Sequence, residues 1–181
     1  LGIGAAHVVG ISGGGGVGQH LAIGHPARVR TLTLLSTTAV GEGREDLPGM
    51  SDALAASFAD PGPEPDWTDR AAVVEHIMAG ERLFNGDLPL DEDRVRALAA
   101  RVFDRTTDIA ASMTNHWILE PGAPLGAGVD AITAPTLVLH GTADPLFPYA
   151  HGAALARAIP GARLVACRAS GTRCRRSRCG T

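Results

Sequence analysis

The stretch Gly10-Ile11-Ser12-Gly13-Gly14 follows a short apolar run and opens a glycine-rich segment. It fits Gly-x-Ser-x-Gly, the pattern of a tight turn that lifts a serine out of the end of a strand. Small residues at Gly10 and Gly14 let the backbone fold closely around Ser12 without side-chain clashes. The pattern therefore predicts a strand, a sharp turn (an elbow) that carries Ser12, and a helix, in that order.

Ser12 is, in this position, a candidate nucleophile for acyl transfer. Such a serine needs an exposed Oγ, a base that takes its proton, and donors for the developing oxyanion. Gly13 would offer its N–H at a helix N-terminus, where the helix dipole favours negative charge.

Two other interpretations of the same stretch stay open. Ser12 could be an ordinary helix-capping serine in a glycine-rich turn. The segment 13–18 also fits Gly-x-Gly-x-x-Gly, the dinucleotide-binding fingerprint. That fingerprint expects an acid at the end of the second strand, whereas the first acid of this chain is Glu42.

The regions around the elbow alternate between strand and helix patterns. The apolar run at 6–12 predicts a buried strand of a parallel sheet, and the second β-rich run at 28–36 completes a βαβ unit. Further helices are predicted at 13–25, near 52–58, and at 69–84, 91–106, 108–119 and 149–159, and further strands at 134–140 and 162–166.

The composition is that of a soluble globular chain of 181 residues, with 45% hydrophobic and 19% charged residues. No apolar run approaches the roughly 20 residues that span a bilayer, and no signal-peptide pattern is present, so we expect a cytoplasmic protein without membrane contact. The chain does not begin with Met and reads as a piece of a longer protein. It has no lysine, which excludes Schiff-base and phosphate-loop chemistry that depends on lysine.

The C-terminal segment 167–181 differs from the rest of the chain. It holds all 3 cysteines and five of the 16 arginines, and no acid follows Asp144. The cysteines lack the spacing of a zinc site, so no metal is expected, and we expect no nucleic-acid partner for the arginines. The segment shows neither helical nor strand periodicity and is predicted to be a disordered tail.

Two parts of the chain resemble the α/β-hydrolase fold family. The first is the nucleophile region, which reads Ala6-His7-Val8-Val9-Gly10-Ile11-Ser12-Gly13-Gly14 and continues through His25-Pro26-Ala27-Arg28-Val29 and Leu32-Thr33-Leu34-Leu35-Ser36. The second is the acid-bearing strand end, which reads Pro135-Thr136-Leu137-Val138-Leu139-His140-Gly141-Thr142-Ala143-Asp144-Pro145. The order of serine before acid is also that of the family.

The resemblance implies an α/β fold, a parallel sheet flanked by helices, with a helical insertion. Residues 1–38 would form the nucleophile part of the core, 39–130 a helical cap, 131–166 the acid-bearing part of the core, and 167–181 the atypical tail. Ser12 would be the nucleophile, Asp144 the carboxylate that orients the base, and Gly13 an oxyanion donor. The cap would contribute pocket residues, for which the candidates are Met78, Phe84, Met113, His116 and Trp117.

The family's base is a histidine that follows the last strand, usually within Gly-x-Gly-His. All 7 histidines of this chain precede Leu164, and none occupies that position. Codons for residues 166–181 can be chosen so that a neighbouring reading frame also carries the family's motif. Entered one base before the Cys167 codon, that frame encodes Leu-Pro-Gly-Ile-Gly-His-Glu. We therefore hypothesise that a frameshift replaced the histidine segment; codons that cannot encode Gly-x-Gly-His in the neighbouring frame refute it.

The sequence as a whole predicts a fragment of a serine hydrolase, closest in character to small esterases such as polyketide methylesterases. Its substrate would be an ester or a related small molecule, with no cofactor and no metal. Because the base is missing, we expect this chain to be inactive or nearly so. The alternatives are a non-catalytic small-molecule-binding or scaffold protein of the same fold and, more weakly, a dinucleotide-binding Rossmann protein. The oligomeric state cannot be read from the sequence.

Overall fold

The computed structural model describes residues 2–41, 46–115, 118 and 126–172. Their core is a parallel sheet with strand order β1-β2-β3-β4. The strands are β1 (Ala6–Ile11), β2 (Val29–Leu35), β3 (Thr136–Gly141) and β4 (Arg163–Cys167). The predicted fold class, a parallel sheet flanked by helices, is confirmed.

Two helices pack on the same face of this sheet. Helix α1 (Gly13–Gly24) follows β1, and helix α6 (Ala150–Ala158) connects β3 to β4. A Cβ at Gly18 of α1 would lie 3.1 Å from the Leu32 side chain, so the missing side chain allows α1 to lie close to β2. Leu155 of α6 is fully buried in the same apolar cluster as Leu32. This face holds the main core.

The opposite face of the sheet is only partly covered by the described residues. Val9 is 69% exposed and Ile11 48% exposed, and Ile11 is aligned across the sheet with partly buried Leu35 and Leu139. Parallel sheets are normally buried on both faces, so this apolar strip is unusual. β1, which carries the elbow, is an edge strand of the described sheet.

A helical insertion, here residues 46–115, separates β2 from β3. Its helices are α2 (Asp52–Ala59), α3 (Arg70–Phe84), α4 (Glu92–Arg105) and α5 (Ile109–Thr114). Each begins at a polar residue whose side chain accepts hydrogen bonds from the free N–H groups of the first turn: Ser51, Asp69, Asp91 and Asp108. No helix within the described ranges has the length and apolar character needed to cross a membrane.

Helices α3 and α4 form an antiparallel pair. Arg70 at the start of α3 pairs with Asp104 at the end of α4 at 2.7 Å, and Arg82 pairs with Glu92 at the other end at 3.0 Å. Between them lies a small core that includes Met78, which is fully buried. Met78 therefore has no surface to offer a substrate, unlike the pocket position suggested for it from the sequence.

The segment that follows β4 is folded as far as the description extends. The sequence predicts a disordered tail from Cys167, yet Cys167 closes β4, and Ser170 and Thr172 are buried. Gly171 N donates to Asn85 O at 3.0 Å and Thr172 N donates to Phe84 O at 3.1 Å, which joins this segment to the end of α3. Residues 173–181 lie outside the described residues.

Candidate active site

Ser12 adopts the strained backbone conformation that the elbow requires. Its φ is 49° and its ψ is −123°, a combination that is rare for a residue with a side chain. Its N–H donates to Leu35 O at 2.9 Å, which fixes the end of β1 against β2. The Ser12 side chain makes no capping hydrogen bond, so it is not an ordinary helix-capping serine. Such strain typically occurs at functional sites.

Glycines make the elbow sterically possible. A Cβ on Gly10 would overlap the carbonyl of Gly14, and a Cβ on Gly15 would lie 2.7–2.8 Å from the Thr37 side chain. No heavy atom lies within 4 Å of a Cβ built on Gly13 or Gly14. Gly10 and Gly15 therefore allow the close approach, whereas Gly13 and Gly14 leave open space beside Ser12.

The first turn of α1 is held through the Ser12 carbonyl. That oxygen accepts hydrogen bonds from Gly15 N at 2.8 Å and from the Thr37 hydroxyl at 2.9 Å. Gly13 is the first residue of α1, and the N–H of a first helical residue has no acceptor within its helix. Gly13 is thus a geometrically suitable oxyanion donor. It also lies in the helix rather than in the turn before it, which does not match the dinucleotide fingerprint.

Asp144 lies in the loop that follows β3, residues 142–149, here called the acid loop, and is 4% exposed. Its Oδ1 accepts hydrogen bonds from Leu146 N at 3.0 Å, Phe147 N at 3.1 Å and the Thr172 hydroxyl at 2.8 Å. Its Oδ2 is buried and has no hydrogen-bond partner among the described residues. A buried carboxylate oxygen without a donor is rare in native proteins and points to a partner group.

His140, at the end of β3, is the histidine beside Asp144. Its Nε2 lies 2.7 Å from Phe147 O and 3.7 Å from Asp144 Oδ2, and its ring is fully buried against Gly152. Burial lowers the pKa of His140 and outweighs the opposing effects of the Phe147 carbonyl and the Asp144 carboxylate. The ring is therefore neutral, with its proton on Nε2, because a carbonyl oxygen can only accept. The nitrogen left to accept a proton, Nδ1, is buried against Gly152 and has no hydrogen-bond partner among the described residues, so His140 is not placed as a base for Ser12.

The lowered pKa of His140 predicts a loss of stability in acid. Below its ordinary pKa of about 6.5 the unfolded chain binds a proton at this residue before the folded chain does, so stability falls as the pH falls through that value. His140→Gln, which keeps a donor for Phe147 O, should weaken this dependence in unfolding midpoints measured from pH 8 to pH 5. The matched control His20→Gln, at an exposed position of α1, should leave it unchanged. Equal pH dependence in both variants would contradict this assignment.

Ser12 and Asp144 lie at the same edge of the sheet. Both follow the carboxyl ends of parallel strands, and the register aligns Ile11 with Leu35 and Leu35 with Leu139. One strand separates β1 from β3, which corresponds to roughly 10 Å between the strand axes. In open α/β sheets ligands bind at this edge. Across the described ranges, no group of three or more His, Cys, Asp or Glu residues is placed to hold a metal ion.

The other predicted pocket residues lie in different parts of the structure. Phe84 is partly buried, packs against Phe58 with ring centroids 6.5 Å apart, and lies next to the acid loop through its hydrogen bond with Thr172. Met113 is partly buried on α5. His116 and Trp117 lie outside the described residues.

Thr172 and Thr37 are the site residues that sequence reasoning missed. Thr172 bonds to the Asp144 carboxylate and Thr37 to the elbow carbonyl. Their only sequence signal is position: Thr37 follows the second strand, and Thr172 follows the last strand by five residues. A threonine that follows a strand belongs to no catalytic motif, so the sequence alone does not single it out.

Comparison with known proteins identifies the family and the fold of this chain. A family model described as the alpha/beta hydrolase fold matches residues 1–171. Rhodomycin D methylesterase DauP from Streptomyces sp. (strain C5) is 31% identical over an alignment of 180 residues, and the match covers 89% of this chain and 58% of that protein. Rhodomycin D methylesterase DnrP from Streptomyces peucetius is likewise 31% identical over 180 residues, with the same coverage. The chain thus spans 58% of the length of these curated relatives.

Solved structures of hydrolases also match the fold. The enol-lactonase from Burkholderia xenovorans LB400 is 28% identical, with a TM-score of 0.60 over 94% of this chain and 60% of that one. The meta-cleavage product hydrolase CumD from Pseudomonas fluorescens IP01 is 20% identical, with a TM-score of 0.63 over 94% of this chain and 58% of that one. The second likeness concerns the fold alone.

Proposed function

This chain belongs to the α/β-hydrolase fold family, and from that premise we propose that its site is that of a serine hydrolase that cleaves a carboxylic ester of a small molecule. The observation that carries the proposal is the conformation of Ser12, strained at φ 49° between β1 and α1 with its side chain free of any capping bond. Strain of this kind presents the Oγ above the edge of the sheet where substrates of open α/β sheets bind.

The proposed reaction has two stages. Ser12 Oγ attacks the ester carbonyl carbon as a histidine base takes its proton, and the oxyanion that forms is stabilised by the Gly13 N–H. Collapse of this tetrahedral intermediate breaks the C–O bond to the alcohol, which leaves with the proton that the histidine base had taken. Water, deprotonated by the same base, then attacks the acyl-enzyme and releases the carboxylic acid and the serine. Asp144 would hold the base in its tautomer and orientation.

The base is the group that the described residues do not supply. His140 donates to Phe147 O, and His151 is bonded at Nδ1 to the Thr38 hydroxyl and at Nε2 to Pro48 O, both at 2.9 Å. Loss of a triad base typically lowers the rate by several orders of magnitude. We therefore propose that this chain has very low esterase activity.

The substrate class is proposed from the relatives and from the helical insertion. The curated relatives are named as methylesterases of rhodomycin D, which favours the methyl ester of an apolar polyketide-like acid. The insertion would act as the cap over the pocket, since it meets both loops of the site: Ser51 N, at the start of α2, donates to Pro145 O in the acid loop at 2.8 Å, and Phe84 O of α3 accepts from Thr172 N in the segment after β4. No nucleic acid, metal or organic cofactor enters the proposal, and the cytoplasmic location expected from the sequence remains part of it.

Labelling of Ser12 by a fluorophosphonate tests the nucleophile directly. At alkaline pH and with added imidazole to supply the missing base, mass spectrometry of the labelled chain should find the phosphonyl group on Ser12 and not on Ser112, an exposed serine of α5. Ser12→Ala should abolish the label and Ser112→Ala should leave it unchanged. Equal labelling of the two serines, or none at Ser12 in the folded chain, would overturn the proposed nucleophile.

Turnover of p-nitrophenyl acetate tests the proposed low activity. We expect a rate close to the background and unchanged by Ser12→Ala. A substantial rate that Ser12→Ala abolishes would show that a base is present after all. Binding of an apolar ester with neither turnover nor labelling would instead favour the alternative, a non-catalytic binding protein with this fold.

A further inference from the structure

We propose that His151 is a positioning residue of the site, which fastens the entrance of the helical insertion to the core and so determines how the insertion lies over Ser12. The entrance is here the segment 46–51, the described residues that lead into α2. His151 lies in the first turn of α6 and is 9% exposed. The inference rests on the proposed function, in which the insertion covers the pocket.

The two ring nitrogens of His151 bind two different segments. Nε2 lies 2.9 Å from Pro48 O in the entrance, and Nδ1 lies 2.9 Å from the Thr38 hydroxyl in the segment after β2. A carbonyl oxygen can only accept a hydrogen bond, so Nε2 carries a proton and donates it to Pro48 O. In the neutral imidazole Nδ1 then accepts from the Thr38 hydroxyl, which fixes the nitrogen that faces Pro48.

The Thr38 end of this junction is held beside the serine elbow. Gln19, which is fully buried in α1, donates from Nε2 to Thr38 O at 2.9 Å and accepts at Oε1 from Val40 N at 2.9 Å. The hydroxyl of the neighbouring Thr37 donates to Ser12 O at 2.9 Å. The segment after β2 is thus bonded to the elbow and to the helix that follows it, so the hydroxyl that orients the imidazole has a fixed place.

The Pro48 end of the junction leads directly into the part of the insertion that lies against the acid loop. Pro48 itself is exposed, and Ser51 N, at the end of the entrance, donates to Pro145 O at 2.8 Å. Helix α2 then presents Phe58, which is 43% exposed and whose ring centroid lies 6.5 Å from that of Phe84. The bond from His151 therefore precedes the apolar surface that the insertion offers beside the site.

Two amide variants keep different halves of this junction. His151→Asn carries its amide one bond closer to the backbone than Nε2, so it can accept from Thr38 but cannot reach Pro48 O. His151→Gln carries its amide nitrogen as many bonds from Cα as Nε2 and keeps the donor to Pro48 O. If His151 only fills space in the core, the two variants should loosen the chain generally, whereas the proposed role predicts that only asparagine releases the entrance.

Hydrogen exchange measures the entrance directly. In His151→Asn the amide of Ser51 should exchange about 5-fold faster than in the parent chain, which corresponds to one net hydrogen bond, while the amide of Val95 at the start of α4 exchanges as before. His151→Gln should leave the Ser51 amide within about 2-fold of the parent chain. The matched control His20→Asn, at an exposed position of α1, should change neither amide.

The kinetics of Ser12 labelling test whether the junction serves the site. With imidazole added, the labelling rate is measured against the concentration of two fluorophosphonates, one with a decyl chain and one with an ethyl group. His151→Asn should raise the half-saturating concentration of the decyl probe about 5-fold and leave its maximal rate within about 2-fold of the parent chain. Labelling by the ethyl probe, which has no chain to lie against the insertion, should be unchanged. His151→Gln should resemble the parent chain towards both probes.

The outcomes separate this inference from the proposed function. If Ser12 is labelled but His151→Asn and His151→Gln have equal effects, or His151→Asn leaves the Ser51 amide unchanged, the inference falls alone. An equal loss with the decyl and ethyl probes would also overturn it, because the effect would then lie at Ser12 rather than at the insertion. If Ser12 is not labelled in any folded variant, the proposed function falls and the inference falls with it.

A second variant keeps the inference testable if circular dichroism shows that His151→Asn does not fold. Thr38→Val has a similar shape and removes the hydroxyl that orients the imidazole. It should speed exchange of the Ser51 amide and raise the half-saturating concentration of the decyl probe, with the maximal rate preserved. An unchanged Ser51 amide together with an unchanged half-saturating concentration in Thr38→Val would overturn the inference.

Discussion

Gly10→Ala is expected to lower the midpoint of thermal unfolding by roughly 6–12 °C and to abolish the labelling of Ser12. The added methyl group would overlap the Gly14 carbonyl oxygen and lie 2.6 Å from Gly14 C and 2.7 Å from Gly15 N. These are backbone atoms of the first turn of α1 and cannot rotate away, so β1 and α1 must separate. Overpacking of this kind costs about 3 kcal/mol, and each kcal/mol shifts the midpoint by roughly 2–4 °C in a domain of this size.

Gly13→Ala is the matched control for that prediction. It introduces the same methyl group three residues away, on the other side of Ser12, where no heavy atom lies within 4 Å. Its unfolding midpoint should stay within about 2 °C of the parent chain, and labelling should persist, because the backbone N–H is unchanged. If Gly10→Ala unfolds like the parent chain, the close crossing of β1 and α1 described for the elbow is incorrect.

The regular elements of this fold were predictable because each carries its own local pattern. The run of β-forming residues at 28–36 became Val29–Leu35, and the apolar spacing of Val95, Leu98 and Val102 became the helix Glu92–Arg105. The predicted cap at Asp91 is present, with its carboxylate accepting from Arg94 N. Most boundaries moved by one or two residues, as expected where helices and strands fray, but the helix predicted at 108–119 is the shorter Ile109–Thr114.

What the sequence could not predict is held by backbone contacts and by tertiary packing. Residues 168–172 carry no periodicity, because backbone hydrogen bonds to the end of α3 and contacts through Gly86 and Gly171 determine their path. Such bonds are available to any residue, so they leave no pattern. Met78 fits the apolar face of α3 equally well whether that face meets a substrate or another helix, and only the packing of α4 decides between the two.

For the site, Ser12 and Asp144 were predicted by motif, and their roles stay predictions. The structure adds the conformation of Ser12 and the hydrogen-bond partners of Asp144. The contact with Thr172 depends on the meeting of two loops that are 28 residues apart in the sequence, and no local signal reports such a meeting.

Asp144→Ala is expected to destabilise the chain by about 3–5 kcal/mol, whether or not the chain has any activity. The substitution removes the acceptor of three hydrogen bonds at once, from two backbone N–H groups and the Thr172 hydroxyl. Each buried donor left without an acceptor costs about 1–3 kcal/mol. Asp144→Asn should cost less than about 1.5 kcal/mol, because its carbonyl oxygen can take the place of Oδ1 and keep those bonds.

The difference in the free energy of unfolding between Asp144→Ala and Asp144→Asn isolates the contribution of the hydrogen bonds to Asp144 Oδ1. Urea unfolding at pH 7 measures it, with Asp130→Ala as the control: Asp130 is exposed in the turn Val129–Ala131, and its loss should change stability by less than about 0.5 kcal/mol. If alanine and asparagine destabilise equally, the hydrogen bonds to Oδ1 do not hold the acid loop, and the joint anchoring of that loop by Leu146, Phe147 and Thr172 is refuted. If only alanine destabilises, the loop is held by an acceptor at Oδ1. Oδ2 would then remain available for the base.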